Sequence, residues 1–385
     1  MRILIVGAGI SGLAAARGLL AAGHRVTVLE RADALRDAGG ALTLWPNGAT
    51  VLRDLGVDLT GLGTRLTAFE MISARGRRVL AMPGERLEAR LGAPALCVSR
   101  RDLLTRLYQG LPEGTVRFGE GFTRYVQRGR TVRVETGSGA VRTADLLIGA
   151  DGMWSRVRTA LFGPGRAKPT GMATVQGLAR SALDLGGRSL LLAGREGKAG
   201  FGPAGDGVVW WFFDVPWTPG GPDEKPLDVL RRRFGAWAWP VPDILAGLTD
   251  DDVRSFPNHR HAIPRHWGRG RGVLIGDAVH GMPPFLAQGA NQALEDVSLL
   301  LRLLAQGEER LPHYGPLRRR RARFASTLAT YGRVAEGPFG LLQSEPALRP
   351  MTAASETQAT AALATLIRAT SNRLQTRAAP RAPAA

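Results

Sequence analysis

Three glycines near the start of the chain have the spacing of a phosphate-binding turn: Gly7, Gly9 and Gly12 in the run GAGISG, which also contains Ser11. An apolar segment, RILIV at 2–6, precedes the run, and a small-residue segment of helical composition follows it. In a strand–turn–helix of this kind the first glycine permits the tight turn. The second lets a diphosphate approach the backbone, and the third allows close helix packing. Because helix N-terminal amides favour anions, the run predicts a dinucleotide pyrophosphate site.

The residue that ends the next apolar segment, RVTVLE at 25–30, indicates which dinucleotide binds. The carboxylate of Glu30 can accept hydrogen bonds from both ribose hydroxyls of an adenosine. It would also repel a 2′-phosphate, so FAD or NAD is favoured over NADP as the dinucleotide held here. We assign the adjacent Arg31 to the same site. The turn and Glu30 together do not separate FAD from NAD.

Two later motifs combine a buried strand with a glycine turn. The segment DLLIGADGMWSRVR at 145–158 places Asp151 after the strand. The segment GVLIGDAVHGMPPFLAQGANQALEDVSLLLRLL at 272–304 places Asp277 after a second strand, with Pro283 and Pro284 stiffening the approach to a long helix. That helix opens with Gly289, Ala290 and Asn291.

These motifs, with LTLWPNG at 42–48 and VSRRDLL at 98–104, make the chain resemble the class A FAD-dependent monooxygenases, the para-hydroxybenzoate hydroxylase-like group. The resemblance covers about residues 1–335. It is closest to the compact members such as tetracycline and urate hydroxylases. The resemblance implies that the glycine turn binds FAD and not NAD, a choice that the turn alone leaves open.

The resemblance also implies roles for individual residues. Glu30 would bind the FAD ribose and Arg100 the phosphate or ribityl region. Asp277 would bind a ribityl hydroxyl, and Asp151 would support the region that FAD shares with NAD(P)H. The amides of 289–291 would face flavin N1 and O2, which fits the partial positive charge of a helix N-terminus. We assign Pro284 to the same cofactor site.

The catalytic cycle implied by the resemblance uses NADPH or NADH to reduce FAD and O2 to form a flavin C4a-hydroperoxide. That species needs a dry pocket, and aromatic residues of the middle region could exclude water and stack on a substrate. Core packing is an equal alternative for Trp210 and Trp211. The predicted substrate-pocket residues are Gln176, Phe201, Trp210, Phe212, Pro283 and Phe285.

The elements that must position these residues predict an α/β fold. A Rossmann-like FAD-binding domain (1–75, 98–168 and 260–335) is interleaved with a β-rich substrate domain (76–97 and 169–259). Short apolar runs between Gly, Pro and Asp clusters predict antiparallel sheet in the middle region. A C-terminal helical region (336–377) and a disordered tail (378–385) complete the chain.

Composition limits the partners that can be expected. The formal net charge is +18, but the arginines are scattered apart from the run at 318–321, which is typical of a solvated helix face. A single cysteine, Cys97, allows no internal disulfide, and no apolar segment is long enough to span a membrane. We expect a cytoplasmic monomer or weak homodimer that binds an aromatic or polyketide-like small molecule. We expect it to bind no metal and no nucleic acid and not to insert into a membrane.

Several interpretations stay open at this stage. No catalytic base is identified; His280 is more typical of a structural residue, and His259 and His261 could line the cleft or lie on the surface. The pair Trp237 and Trp239 only partly matches the WxWxIP signature of flavin-dependent halogenases, so halogenation is not favoured. Two alternatives to a monooxygenase are an FAD-dependent reductase or dehydrogenase of the same superfold and a non-catalytic flavin- or ligand-binding protein.

Overall fold

The computed structural model describes residues 1–35, 39–181, 183–205, 207–221, 224–331 and 353–374. Its strands are β1 (Arg2–Val6), β2 (Arg25–Leu29), β3 (Ala41–Leu44), β4 (Thr64–Arg65), β5 (Ala68–Ser73), β6 (Arg78–Pro83), β7 (Leu96–Ser99), β8 (Val116–Arg117), β9 (Phe122–Arg128), β10 (Thr131–Thr136), β11 (Val141–Ala144), β12 (Leu146–Gly149), β13 (Lys168–Arg180), β14 (Arg188–Gly194), β15 (Gly197–Pro203), β16 (Val208–Pro216), β17 (Arg254–Arg260), β18 (Gly268–Arg269) and β19 (Gly272–Leu274).

The helices are α1 (Ile10–Ala21), α2 (Pro46–Asp54), α3 (Gly84–Leu91), α4 (Arg100–Gln109), α5 (Arg156–Phe162), α6 (Pro226–Phe234), α7 (Val241–Gly247), α8 (Asp277–His280), α9 (Gly289–Leu304), α10 (Tyr314–Tyr331) and α11 (Ala353–Thr370). Short 3₁₀ helices lie at Asp250–Asp252, Pro284–Leu286 and Glu308–His313. The predicted disordered tail at 378–385 lies outside the described residues.

A six-stranded sheet in the order β18-β19-β12-β1-β2-β8 forms the predicted Rossmann-like unit. Strand β1 pairs in parallel with β2 on one side and β12 on the other. Its apolar residues alternate between two faces that are both covered, so the neighbours Ile3 and Leu4, on opposite faces, are both buried. Helix α1 leaves the carboxyl end of β1 and packs against α9, which brings the predicted motifs to one edge of the sheet.

A seven-stranded sheet in the order β17-β13-β16-β15-β14-β5-β6 makes up the middle region. Its strands pair antiparallel except for β14 and β5, which are parallel. The predicted antiparallel sheet is therefore present, but the same region also contains α6 and α7. Their buried leucine and phenylalanine residues recur with helical spacing, as in PLDVLRRRF, and pack on one face of the sheet.

One domain boundary differs from the sequence-based expectation. Residues up to 75 were assigned to the FAD-binding domain, whereas β5 (Ala68–Ser73) belongs to the seven-stranded sheet. Strand β5 pairs with β6 and, in parallel, with β14, more than a hundred residues later in the chain. Pairing over such a separation leaves no local signal in the sequence.

The C-terminal helices join the two sheets. Helix α10 packs against α9 and α11, and α11 also packs against α3 and β6. Behind α11 the turn at 371–374 returns to α9, where Asn372 N donates to Glu295 Oε2 over 2.8 Å. Within the described ranges, no helix is long and apolar enough to cross a membrane.

Candidate active site

The glycine turn has the geometry of a pyrophosphate cradle. Gly7 adopts a φ of +105°, and a Cβ there would lie 2.5 Å from the carbonyl oxygen of Ala150. A Cβ at Gly12 would collide with the carbonyl oxygen of Gly7, which shows how closely α1 packs on the turn. At Gly9, by contrast, a Cβ would meet no atom within 4 Å. The turn is therefore closed on two sides and open at the one glycine where a phosphate must approach.

Glu30 is held beside this turn by backbone amides. Its Oε2 accepts from Ala8 N at 2.8 Å and its Oε1 from Ala32 N at 3.0 Å. The side chain is buried at the end of β2, yet each carboxylate oxygen has a second lone pair for a ribose hydroxyl. The adjacent Arg31 is exposed, with its Cβ packed near Gly121.

Arg100 begins α4, whose N-terminus is capped by the side chain of Ser99. The Arg100 amide donates to Gly40 O at 3.1 Å, and its aliphatic stem packs beside Gly39. The exposed Arg100 side chain therefore extends from the start of α4 alongside the loop that leads into β3. This location is compatible with the predicted contact to the phosphate or ribityl region.

Asp151 organises the loop that follows β12. Its carboxylate accepts from Ser155 Oγ, from Arg156 N at 2.8 Å and from Val157 N at 3.2 Å, so it caps α5. Burial raises the pKa of this carboxyl, and the hydrogen bonds only partly oppose the shift. The backbone of Asp151 borders Gly7, so the loop forms one wall of the glycine turn.

Asp277 lies where three helix N-termini meet. It opens α8 with an exposed side chain, and its Oδ1 approaches Gly289, the first residue of α9. The preceding Gly276, at a φ of +61°, faces Ser11 of α1, whose Oγ lies 3.0 Å from the position of a Cβ at Gly276. An exposed carboxylate can accept hydrogen bonds from the hydroxyls of a polyol chain, and the nearby helix N-termini can donate hydrogen bonds to a diphosphate at its end.

The start of α9 is fixed by the side chain of Asn291. This fully buried amide accepts from Trp45 N at 2.9 Å and donates to Thr43 O at 3.0 Å and to Ala287 O at 2.8 Å. The Asn291 side chain therefore joins two loops, while the first amides of α9 keep the orientation of unpaired helix donors. Ala287 has a φ of +50°, a conformation of about 1–3 kcal/mol strain that clusters at functional sites.

Four of the predicted substrate-pocket residues flank one face of the seven-stranded sheet. Directly paired residues of neighbouring strands share a face, so Gln176, Phe212 and Gly200 form one row across β13, β16 and β15. Trp210 lies in the next row, and its Nε1 donates to Gln176 Oε1 at 3.2 Å. Phe285, in the 3₁₀ helix opposite, lies under Lys198 Nζ, 4.0 Å from the ring centroid.

This face looks onto loops of the FAD-binding domain. A Cβ at Gly40 would touch both Gln176 and Trp210, and Trp45 Nε1 donates to Leu286 O at 3.1 Å. Pro283, buried, and Pro284, exposed, lie on the loop that carries Phe285. Five of the six predicted pocket residues therefore lie on this face of the sheet or on the loop opposite it.

Phe201 is the exception. It follows Gly200 by one position on β15, so its side chain points to the opposite face of the sheet. There it is 1% exposed and packs edge-to-face on Phe213 within the core covered by α6 and α7. Trp211 and Phe213 share that core. A run of consecutive aromatic residues cannot reveal which members face a ligand, because both faces of this sheet are covered.

A buried ionic cluster under α9 was not predicted from the sequence. Asp296 accepts from His280 Nε2 and Arg318 Nε, each at 2.7 Å, and all three side chains are fully buried. Burial acts to raise the pKa of Asp296, but the charges of His280 and Arg318 outweigh it and the pKa is lowered. The interpretation of Arg318 as part of a solvated helix face was wrong; Arg320, in the same run, is exposed.

Cys97 is buried, and burial raises the pKa of its thiol to about 12. Its sulfur lies 3.0 Å from the position of a Cβ at Gly202, which pairs with Trp210, so the thiol packs against the end of the substrate face next to Trp210. We expect the folded protein to resist alkylation by iodoacetamide at mildly alkaline pH, because the thiolate is the reactive form. Mass spectrometry should find one alkylated cysteine only after unfolding. Rapid labelling of the native protein would contradict this assignment.

Among the described residues, the three histidines near the cleft have structural contacts. His261 Nε2 hydrogen-bonds Met153 O at 2.6 Å, and burial lowers the pKa of this imidazole. His259 forms an edge contact with the exposed Trp154 at 5.1 Å between centroids. His280 belongs to the cluster described above. None lies in the rows that face Phe285, so the structure assigns none of them a catalytic role.

The comparisons with known proteins agree with this geometry. A family model described as an FAD binding domain matches residues 1–326. Aurachin C monooxygenase/isomerase from Stigmatella aurantiaca is 31% identical, over 79% of this chain and 81% of its own length. The 3-amino-4-hydroxybenzoate 2-monooxygenase from Streptomyces cremeus is 34% identical, over 78% of both chains.

Among solved structures, Klebsiella pneumoniae HpxO complexed with FAD and uric acid superposes with a TM-score of 0.84 at 26% identity. The match covers 96% of this chain and 97% of that chain. The match to an FAD binding domain and the similarity to a structure that contains FAD confirm the choice of FAD over NAD. The chain belongs to the family defined by this FAD binding domain and is a flavoprotein monooxygenase of the para-hydroxybenzoate hydroxylase fold.

Proposed function

We propose that the enzyme uses NAD(P)H and O2 to hydroxylate or epoxidise an electron-rich aromatic small molecule in the cleft that Phe212 and Phe285 border. The observation that carries this proposal is the row Gln176–Phe212–Gly200, which faces the loops at 39–48 and 283–287. Relatives named for aminohydroxybenzoate, hydroxynicotinate and urate support an aromatic substrate over a polyketide.

The residues at the sheet edge would hold FAD along the cleft. The amides after Gly9 would bind the pyrophosphate and Glu30 the adenosine ribose. Asp277 would bind the ribityl chain, and the first amides of α9 would stabilise negative charge on the isoalloxazine. When bound, FAD supplies the redox chemistry that activates oxygen.

The protein's own contribution is to orient a ring and to exclude water. Trp210 and Phe212 are half-buried, with ring centroids 5.3 Å apart, so they present aromatic surface to the cleft. Behind them Trp45 stacks on Phe69 at 4.8 Å, and the apolar residues of α11 close the same end. Apolar walls of this kind remove water, which otherwise diverts activated oxygen to peroxide.

Phe212→Ala is expected to uncouple the reaction. Removing the ring opens space above Gly200, which Phe212 now fills, and admits water next to the substrate. We expect NAD(P)H oxidation to continue while the ratio of product to NAD(P)H falls by about tenfold, equivalent to about 1.4 kcal/mol. Hydrogen peroxide should account for the difference. Phe324→Ala, at an exposed position on α10 away from the seven-stranded sheet, is the control and should keep the wild-type ratio.

The proposed function is tested by following oxidation of NADH and NADPH together with oxygen uptake on the FAD-loaded protein, across a panel of phenols and N-heteroaromatic compounds. Substrate-dependent oxygen uptake with a hydroxylated product is expected. A reductase would reduce its substrate, and a dehydrogenase would oxidise its substrate, in either case without consuming oxygen. A non-catalytic protein would bind FAD yet leave NAD(P)H unoxidised, and either result would refute the proposal.

A further inference from the structure

A row of buried polar side chains crosses the substrate face two residues away from Phe212. Thr174, Asp214 and Lys198 are directly paired across β13, β16 and β15, so all three lie on the same face as Gln176 and Phe212. Lys198 is 8% exposed and Asp214 is 7% exposed. Lysine and aspartate are rarely buried to this degree, and here the two opposite charges lie directly across from each other on neighbouring strands of the substrate face.

The Asp214 carboxylate is held in a fixed orientation. Thr174 Oγ1 donates to Asp214 Oδ1 at 2.7 Å, and Asn258 Nδ2 in turn donates to Thr174 Oγ1 at 3.0 Å. Lys198 Nζ is held from the other side of the cleft by the Phe285 ring, 4.0 Å from the centroid. Two domains therefore converge on the polar row, one through hydrogen bonds and one through a cation–π contact.

Both charged side chains border a cavity of about 280 Å³ at the outer end of the face. Its rim carries the exposed Arg195 and Glu196 and the partly buried Arg233, whose Nη2 donates to Glu196 O at 2.8 Å. The face thus changes character along the strands, from Trp210 and Phe212 at the inner end to Lys198 and Asp214 at the outer end.

We infer that Lys198 and Asp214 together recognise one end of the substrate, a substituent pair on the ring that offers both a hydrogen-bond acceptor and a hydrogen-bond donor. Lys198 has three donors and no acceptor, whereas an ionised aspartate only accepts. A simple carboxylate would meet attraction at Lys198 and repulsion at Asp214. A ring with an acidic or carbonyl oxygen next to an amine or hydroxyl satisfies both side chains. This inference rests on the proposed function for the claim that the cleft binds substrate.

The test measures ligand binding to the FAD-loaded protein through perturbation of the visible flavin absorbance, which needs no turnover. The probes are 2-aminobenzoate, which carries both groups, benzoate, which carries the acceptor, and aniline, which carries the donor. We expect 2-aminobenzoate to bind about tenfold more tightly than either single-group probe, as loss of one charge-assisted hydrogen bond predicts.

The variants Lys198→Met and Asp214→Leu remove one partner each at similar volume. Lys198→Met should abolish the advantage of 2-aminobenzoate over aniline, and Asp214→Leu its advantage over benzoate. A variant that merely loosened the fold would weaken all three probes by one factor, which would overturn the inference. Equal binding of the three probes to the wild type would overturn it as well.

The control is a second lysine–aspartate pair on the surface, Lys225 and Asp250, 2.9 Å apart. Lys225→Met and Asp250→Leu should leave all three affinities unchanged. Failure of the inference is distinguishable from failure of the proposed function. Discrimination among the probes without substrate-dependent oxygen uptake refutes the function and retains the site, whereas hydroxylation without discrimination refutes the site and retains the function.

Discussion

Replacing Gly12 by valine is expected to leave a protein that cannot retain FAD. A side chain there has no room, because even a Cβ would collide with the carbonyl oxygen of Gly7. Moving that carbonyl or α1 would displace the amides that should bind the pyrophosphate. Overpacking of this kind costs about 1–3 kcal/mol, and the upper value corresponds to about a hundredfold weaker FAD binding.

The measurement is the ratio of bound flavin to protein after gel filtration, followed by titration of the apoprotein with FAD. Gly247→Ala provides the matched control, because a Cβ at this helical glycine would meet no atom within 4 Å. It should retain FAD fully. A Gly12→Val protein that kept its flavin at wild-type affinity would show that the turn does not hold the pyrophosphate.

Among single substitutions in α10, replacing Arg318 by methionine should cause the largest loss in the free energy of unfolding. The Arg318 guanidinium donates to Asp296 Oδ1, to Asn372 Oδ1 at 3.0 Å and to Gln292 Oε1 at 2.8 Å. Its removal leaves buried carboxylates without their main cation. Breaking a buried pair in this way typically costs about 3–5 kcal/mol.

Chemical denaturation followed by tryptophan fluorescence should show this loss for Arg318→Met in the free energy of unfolding. The control, Arg320→Met, changes an exposed residue two positions along the same helix and should stay within about 0.5 kcal/mol of the wild type. Equal stability of the two variants would mean that the cluster contributes nothing net to folding.

The N-terminal half of the site could be predicted from sequence because its signals are local. Gly7 and Gly12 meet backbone constraints of one turn, Gly9 leaves that turn open, and Glu30 lies directly after the next strand. The cofactor choice needed the distant Asp151 and Asp277, which the parallel pairing of β1, β12 and β19 brings to the same edge. The features that can be predicted from the sequence are therefore those whose residues lie within one strand, one turn or one helix start.

The substrate side of the cleft could not be predicted in the same way. Phe201 and Phe212 are both aromatic residues in apolar strands, and only the register of β15 against β16 sends one to the core and the other to the cleft. Lysine and arginine side chains are normally exposed, but those of Lys198 and Arg318 are buried. Their burial depends on partners far along the chain, Phe285 for the lysine and Asp296 for the arginine, so no local pattern marks them.

The return of residues 371–374 to α9 has a consequence for biosynthesis. Glu295 is fully buried, and its carboxylate accepts from Ser371 Oγ, Asn372 N and Arg373 N. Because a ribosome releases the chain from its N-terminus, the nascent chain contains the glycine turn long before the segment at 371–374 that binds Glu295. We therefore expect the protein to bind FAD stably only after its synthesis is complete. A chaperone that binds the chain during synthesis would bind a domain that does not yet contain flavin.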